Sequence, residues 1–112
     1  MGASLYSLEK IWKESRNKPV EILGMENLIQ IGILTVESNT KLPAKGFSIH
    51  EHSHEFAYII EGNAIIGTDE GENEVKEGEL LYNKPGTPHY TFNKSSKPAK
   101  ILWLVTPSLK NR

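Results

Sequence analysis

The residues of this sequence whose spacing points most clearly to chemistry are histidines. Three of the four in the chain, His50, His52 and His54, are two residues apart. Side chains two residues apart on a strand project from the same face, so the spacing predicts three imidazoles on one side of a strand. Imidazole is the commonest metal ligand in proteins, and Glu55 adds a carboxylate oxygen. The cluster indicates a divalent metal site; the alternative is a chance cluster on an exposed strand.

The fourth histidine, His89, follows a rigid turn. Residues 84–88 read Lys-Pro-Gly-Thr-Pro, and two prolines and a glycine restrict the backbone enough to place the next side chain reproducibly. Two or three imidazoles on one strand, joined by another from a second strand, would form a metal site inside a barrel. His89 is therefore a candidate ligand.

The elements that would position these residues are short strands. From Val20 onward, apolar and polar residues follow the period of strands, and segments rich in Gly, Pro, Asn and Ser separate the runs. The predicted strands are residues 20–23, 28–36, 46–52, 56–60, 64–68, 73–76, 80–83, 89–93 and 101–106. Eight or nine strands at close spacing predict an antiparallel sandwich or barrel.

One helix is predicted, over residues 5–15. Its apolar residues recur at three- and four-residue steps, and the Asn-Lys-Pro sequence at 17–19 ends the pattern. We expect Leu8 and Trp12 to pack against the outside of a sheet. The expected organisation is a single domain over residues 1–112, with a helix and lead-in at 1–19, a barrel at 20–106 and a tail at 107–112.

Composition narrows the classes of partner. The chain has 112 residues, a formal net charge of -1 and no cysteine. This charge offers no basic surface for nucleic acid or an anionic membrane, and the lack of cysteine excludes disulfide frameworks and thiolate metal sites. No run reaches the ~20 apolar residues that span a bilayer, and the N-terminus lacks the features of a secretory signal. We therefore expect a cytoplasmic protein that binds neither nucleic acid nor membranes.

Two segments, 46–62 and 78–93, resemble the two sequence motifs of the cupins, which are small jelly-roll barrels, also called double-stranded β-helices, that bind a metal inside. The residues of the second motif that stand in register are Gly78, Pro85, Gly86, His89 and Asn93. Lys84 stands where the family usually has proline. The resemblance implies an all-β cupin barrel with a short N-terminal helix, and it makes His89 a metal ligand.

The two ends of the first motif select different ligands, and the two counts cannot both hold because no residues would remain for a turn between His54 and Glu55. Counting forward from Gly46 selects His52 and His54, whereas counting back from Gly62 selects Glu55. The set that we prefer is His50, His52, Glu55 and His89, with His54 as the replacement ligand if Glu55 points away. Such donors suit one divalent transition metal, namely Mn, Fe, Co, Ni or Zn, and copper is also compatible.

The resemblance also implies a small-molecule site. Tyr58 and Tyr90 are close in sequence to the candidate ligands and are expected in the substrate pocket. The activity implied is that of a metal-dependent dioxygenase, decarboxylase or isomerase acting on a small organic or sugar-like molecule. The alternative is a non-catalytic sensing module similar to the ligand-binding half of bacterial transcription regulators. In either case the family habit of pairing between barrels predicts a homodimer.

Overall fold

The computed structural model describes residues 2–109, which contain one short helix and nine strands. The helix α1 spans Glu9–Trp12 and continues into a 3-10 turn at Lys13–Ser15. The strands are β1 Val20–Met25, β2 Ile29–Val36, β3 Thr40–Leu42, β4 His54–Glu61, β5 Asn63–Thr68, β6 Gly71–Lys76, β7 Leu80–Asn83, β8 His89–Asn93 and β9 Ala99–Thr106. Within this range, no helix has the length and apolar character to cross a bilayer.

The strands form two antiparallel sheets. The first has the order β1-β2-β9-β4-β7 and the second has the order β3-β8-β5-β6. Side chains alternate between the two faces of each strand, so every second residue points into the space between the sheets. This architecture confirms the predicted all-β jelly roll with a short N-terminal helix.

The core lies between the sheets and follows this alternation. Across three neighbouring strands of the first sheet, Leu34, Ile101 and Ile59 are direct cross-strand partners, and all three are buried. Ile66 of β5 reaches the same cluster from the second sheet. Removing these side chains from water supplies the main force that holds the sheets together.

The N-terminal segment packs on the outside of the first sheet. α1 contacts β2, and the Ser15 hydroxyl is hydrogen-bonded to the Thr35 hydroxyl at 2.9 Å. The backbone N–H of Asn17 donates to the Thr35 carbonyl at 2.6 Å. The helix is shorter than the predicted residues 5–15. Residues 2–8 have no regular structure, and residues 13–15 form the 3-10 turn.

Two strand predictions are wrong. Residues 46–52 do not form a strand; only Ser48 makes an isolated bridge, to His89, and the chain turns at residues 51–52. The carbonyl of His50 accepts instead from the N–H of Gly86 at 3.0 Å, so the segment pairs with a turn rather than with a strand ladder. Conversely, Thr40–Leu42, which lies outside all the predicted strands, forms β3 and pairs with β8.

Gly32 makes room for the largest side chain between the sheets. It lies opposite Trp103 across the β2–β9 pair, and a Cβ at Gly32 would lie 2.1 Å from Cζ2 of Trp103 and 2.4 Å from the Val20 carbonyl oxygen. Neither neighbour is free to move, because one is a backbone atom and the other belongs to a packed indole ring. The absence of a side chain at Gly32 is therefore a packing requirement.

We predict that Gly32→Ala lowers the free energy of unfolding by about 2 kcal/mol, since overpacking forces neighbouring groups to shift. Gly24→Ala is the matched control, because a Cβ there would meet only the flexible carboxylate end of Glu21. The control should change stability by less than about 0.5 kcal/mol. Urea unfolding monitored by circular dichroism measures both, and equal effects would contradict the packing argument.

Candidate metal centre

Three candidate ligands come together between the sheets. The ligand atoms of His50, Glu55 and His89 all lie within 4.8 Å of one another. Oε1 of Glu55 contacts Nδ1 of His50, and Oε2 of Glu55 lies 2.9 Å from Nε2 of His89. The two imidazole centroids are 5.6 Å apart. Their side chains are 14–30% exposed, so the group is partly shielded from water.

Each ligand comes from a different part of the fold. Glu55 is the second residue of β4, where it pairs with Asn83 of β7 and Val105 of β9. His89 begins β8. His50 lies in the loop between β3 and β4, and this loop is tied to β8 by two hydrogen bonds between Ser48 and His89, at 2.8 and 2.9 Å. Backbone pairing thus fixes the His50 loop against the strand that carries His89.

A hydrogen bond on the far side of the His89 ring selects its tautomer. Nδ1 of His89 lies 3.0 Å from the carbonyl oxygen of Thr87. A carbonyl only accepts, so Nδ1 carries the hydrogen and Nε2 is left to face the Glu55 carboxylate. An imidazole lone pair and a carboxylate at 2.9 Å repel each other unless a proton or a cation lies between them. The donor set therefore fits a divalent metal.

His52 and His54 lie outside this group. His52 is exposed in the turn after His50. His54 is also exposed, and its Nδ1 is 2.6 Å from the hydroxyl of Tyr82. Adjacent strand residues face opposite ways, so Glu55 points inward and His54 outward. The expectation that three histidines share one strand face is wrong, because β4 begins only at His54.

The two predicted pocket residues also lie elsewhere. Tyr58 is 39% exposed on the outer face of the first sheet. Tyr90 packs over Gly67 on the outer face of the second sheet and donates a hydrogen bond to the Glu72 carboxylate at 2.5 Å. This bond raises the pKa of the Tyr90 phenol above its ordinary value of 10.0. Neither tyrosine lines the cavity described next.

The cavity between the sheets has a volume of about 400 Å³, and the His50, Glu55 and His89 group forms part of its wall. Asn83 and Thr91 also line it, and the sequence analysis missed both. The signal that would find them is spacing. Thr91 follows His89 by two residues and so shares its face, while Asn83 is the cross-strand neighbour of Glu55.

A family model, described as a cupin domain, matches residues 34–105. The chain belongs to the cupin family. It is 36% identical over 86 residues to the uncharacterized protein MJ1618 of Methanocaldococcus jannaschii, and the match covers 75% of this chain and 63% of that protein. The chain therefore spans less than two thirds of the length of this relative.

Solved structures share the cupin fold. BH2720 from Bacillus halodurans superposes with a TM-score of 0.79 and 17% identity, covering 97% of this chain and 84% of that one. A cupin described as a sugar phosphate isomerase, SPO2919 from Silicibacter pomeroyi, gives a TM-score of 0.63 and 22% identity, covering 70% and 50%. At these identities the likeness concerns the fold.

Lys41 braces the loop that leads to His50. Its Nζ donates to the carbonyl oxygens of Pro43 at 3.0 Å and Gly46 at 3.2 Å. The same ammonium lies 4.6 Å from the centroid of the Tyr90 ring, on the outer face of the second sheet. The β3–β4 loop is therefore held at its start by Lys41 and at its middle by the bridge of Ser48.

We predict that Lys41→Met speeds hydrogen exchange of the Ser48 amide about fivefold, because the two hydrogen bonds that are lost contribute about 0.5 kcal/mol each, or about 1 kcal/mol together. That amide donates to the His89 carbonyl, so it reports on docking of the loop against β8. Lys45→Met is the control, because Lys45 is exposed in the same loop. Equal exchange in the two variants would show that Lys41 does not brace the loop.

Proposed function

We propose that this cupin binds one divalent transition metal through His50, Glu55 and His89 and acts as a metal-dependent enzyme on a small organic molecule. The observation that carries the proposal is the contact of the Glu55 carboxylate with both imidazoles. A metal bound there would supply Lewis-acid polarisation or activation of oxygen. Three protein donors are compatible with exchangeable positions for substrate.

The surrounding residues would orient the ligands and exclude water. Thr87 holds the His89 ring through Nδ1, and a hydrogen bond of this kind raises the basicity of the ligating nitrogen. Pairing with β7 and β9 fixes the backbone of Glu55. The apolar walls limit the water that reaches the centre, which strengthens electrostatic interactions within it.

A sensing module is the second candidate function. Among the described residues that line the cavity, the His50, Glu55 and His89 group contains all the titratable side chains. If all three hold a metal, the wall offers no separate general acid or base of the kind that many enzymes use. This favours a protein that binds its ligand without turnover as the alternative. Conversion of a substrate at the metal would distinguish the enzyme from such a sensing module.

We predict that the purified cupin holds about one equivalent of transition metal and that His89→Ala loses it. Elemental analysis after purification without chelator measures the stoichiometry. His52→Ala is the matched control, since His52 is an exposed histidine in the neighbouring turn. It should retain full metal content, and so should His54→Ala.

Metal binding should also raise stability, because an ion held only by the folded state shifts the unfolding equilibrium. The gain is about 2.7 kcal/mol when the free metal concentration is roughly 100 times Kd. His89→Ala should lose this gain in thermal unfolding with added metal. Unchanged metal content and stabilisation in that variant would refute the ligand assignment.

The same chain is proposed to form a homodimer through the outer face of β4 and β7. Tyr58, Leu80 and Tyr82 are 39%, 61% and 49% exposed on neighbouring strands there, and Phe56 packs against Tyr82 at a ring-centroid distance of 5.2 Å. α1 contacts β2 in the same sheet. β4 and β7, at the other end of that sheet, expose adjacent apolar side chains that a second copy could cover.

We predict a dimer mass by light scattering at micromolar concentration and a monomer mass for Leu80→Glu, because a charge would be buried without a partner in the interface. Ile49→Glu is the control, since Ile49 is 51% exposed in the loop before His50. A monomeric wild-type protein, or dissociation caused equally by both substitutions, would overturn the assignment of this face.

A further inference from the structure

The charge of the cavity wall restricts what the cavity can hold. Among residues 2–109, the lining side chains include no lysine and no arginine, and Glu55 is the acidic one. Lys41, which is adjacent to the lining residue Leu42, directs its ammonium to the outer face over Tyr90. Apart from an ion at the metal centre, the described part of the wall therefore has no fixed positive charge to pair with an anionic ligand.

Most of the wall is apolar. Leu34, Ile66 and Ile101 come from three different strands of the two sheets. Near the end of the described chain, Leu109 adds a further aliphatic side chain. Its position is fixed because its backbone N–H donates to Oε1 of Gln30 at 2.5 Å. The apolar lining thus extends from the core strands to the segment after β9.

Three neutral polar side chains of the wall adjoin the metal centre. Asn83 is paired with Glu55 across β7 and β4, and Thr91 shares a strand face with His89. Ser48, which also lines the cavity, is bridged to His89. The other neutral polar groups of the described lining are Asn17, whose Oδ1 accepts from the Glu37 N–H, and the buried indole Nε1 of Trp103. Three of these five neutral polar side chains therefore adjoin the candidate ligands.

We propose that the ligand of this cavity is a compact, mainly apolar molecule without phosphate groups, with oxygen at one end, such as a phenol or an enolisable ketone. The oxygen end lies beside Asn83, Thr91 and the metal centre, a placement that rests on the proposed function. The apolar body contacts the aliphatic wall. A volume of about 400 Å³ is at the small end for ligand pockets.

The side chains of the described wall disfavour a phosphate ester on energetic grounds. Moving a phosphate dianion from water into an apolar cavity is costly unless a cation pairs with it, and the fixed charge on the wall is the negative charge of Glu55. The proposal therefore separates this chain from SPO2919, the cupin described as a sugar phosphate isomerase.

The test compares two probes, 4-ethylphenol and 4-ethylphenyl phosphate, by isothermal titration calorimetry. The protein is used both stripped of metal by chelator and reloaded with Zn²⁺, because in the stripped protein a phosphate cannot gain affinity by ligating the ion. We expect 4-ethylphenol to bind the stripped protein at least about tenfold more tightly than its phosphate ester. Comparable or tighter binding of the ester would overturn the proposal, and so would failure of both probes to bind.

Cavity-filling variants locate the binding. Ala57→Phe places a ring in the cavity and should abolish 4-ethylphenol binding, whereas Ala44→Phe, in an exposed loop, should leave it unchanged. Leu81→Phe is a second filling variant in case Ala57→Phe does not fold. Phenol binding that survives in a folded filling variant would overturn the proposal. If the protein takes up no metal but still binds 4-ethylphenol in preference to its phosphate ester, the metal centre is refuted and the proposed class of ligand is supported.

Discussion

The contact of the Glu55 carboxylate with two imidazoles is the interaction that the rest of the fold must support. Three polar groups meet in a partly buried space, and His89 directs a ring nitrogen toward an oxygen. Such a group is stable only if a proton or a cation compensates its lone pairs, because unpaired polar groups away from water are costly. The bridge between Ser48 and His89, the turn before β8 and the pairing of β4 all hold these groups together against that repulsion.

The cavity beside the metal centre lowers the packing of the core, and other contacts must make up for that loss. An open space between two sheets removes packing contacts, so the remaining core must supply the cohesion. Leu34, Ile59 and Ile101 form a continuous buried row across three neighbouring strands, with side chains that fit together closely. Gly32 adds to this by allowing the Trp103 ring to lie directly over the β2 backbone. The Trp103 ring therefore forms a flat part of the cavity wall, and a side chain at Gly32 would displace it.

The sequence predicted the strands well because their signal is local. Alternation and turn residues identified eight of the nine strands observed, from β1 to β9 with the exception of β3. The segment around the histidines could not be predicted in the same way, since its hydrogen bonds go to Gly86 and His89, far along the chain. The period of strands therefore mispredicts these residues, which form a loop, and wrongly places His52 on the same face as His50.

The face of each tyrosine could have been read from the sequence. Tyr58 is three residues from Glu55 and Tyr90 is one residue from His89, so neither shares a face with its neighbouring ligand on a regular strand. Residues that share a strand face with a ligand are found by a spacing of two, and closeness in sequence alone does not identify them.

The uneven distribution of polar groups connects fold to chemistry. Titratable side chains in the described wall are confined to the His50, Glu55 and His89 group, so any proton transfer within the cavity must use that group, a bound water or the ligand itself. Glu55 is the one anionic group among the three, and its carboxylate contacts both imidazoles. Binding of a cation and movement of a proton therefore compete for the same oxygens. A ligand that brings its own acidic hydroxyl avoids this competition, because it supplies the proton that the wall cannot.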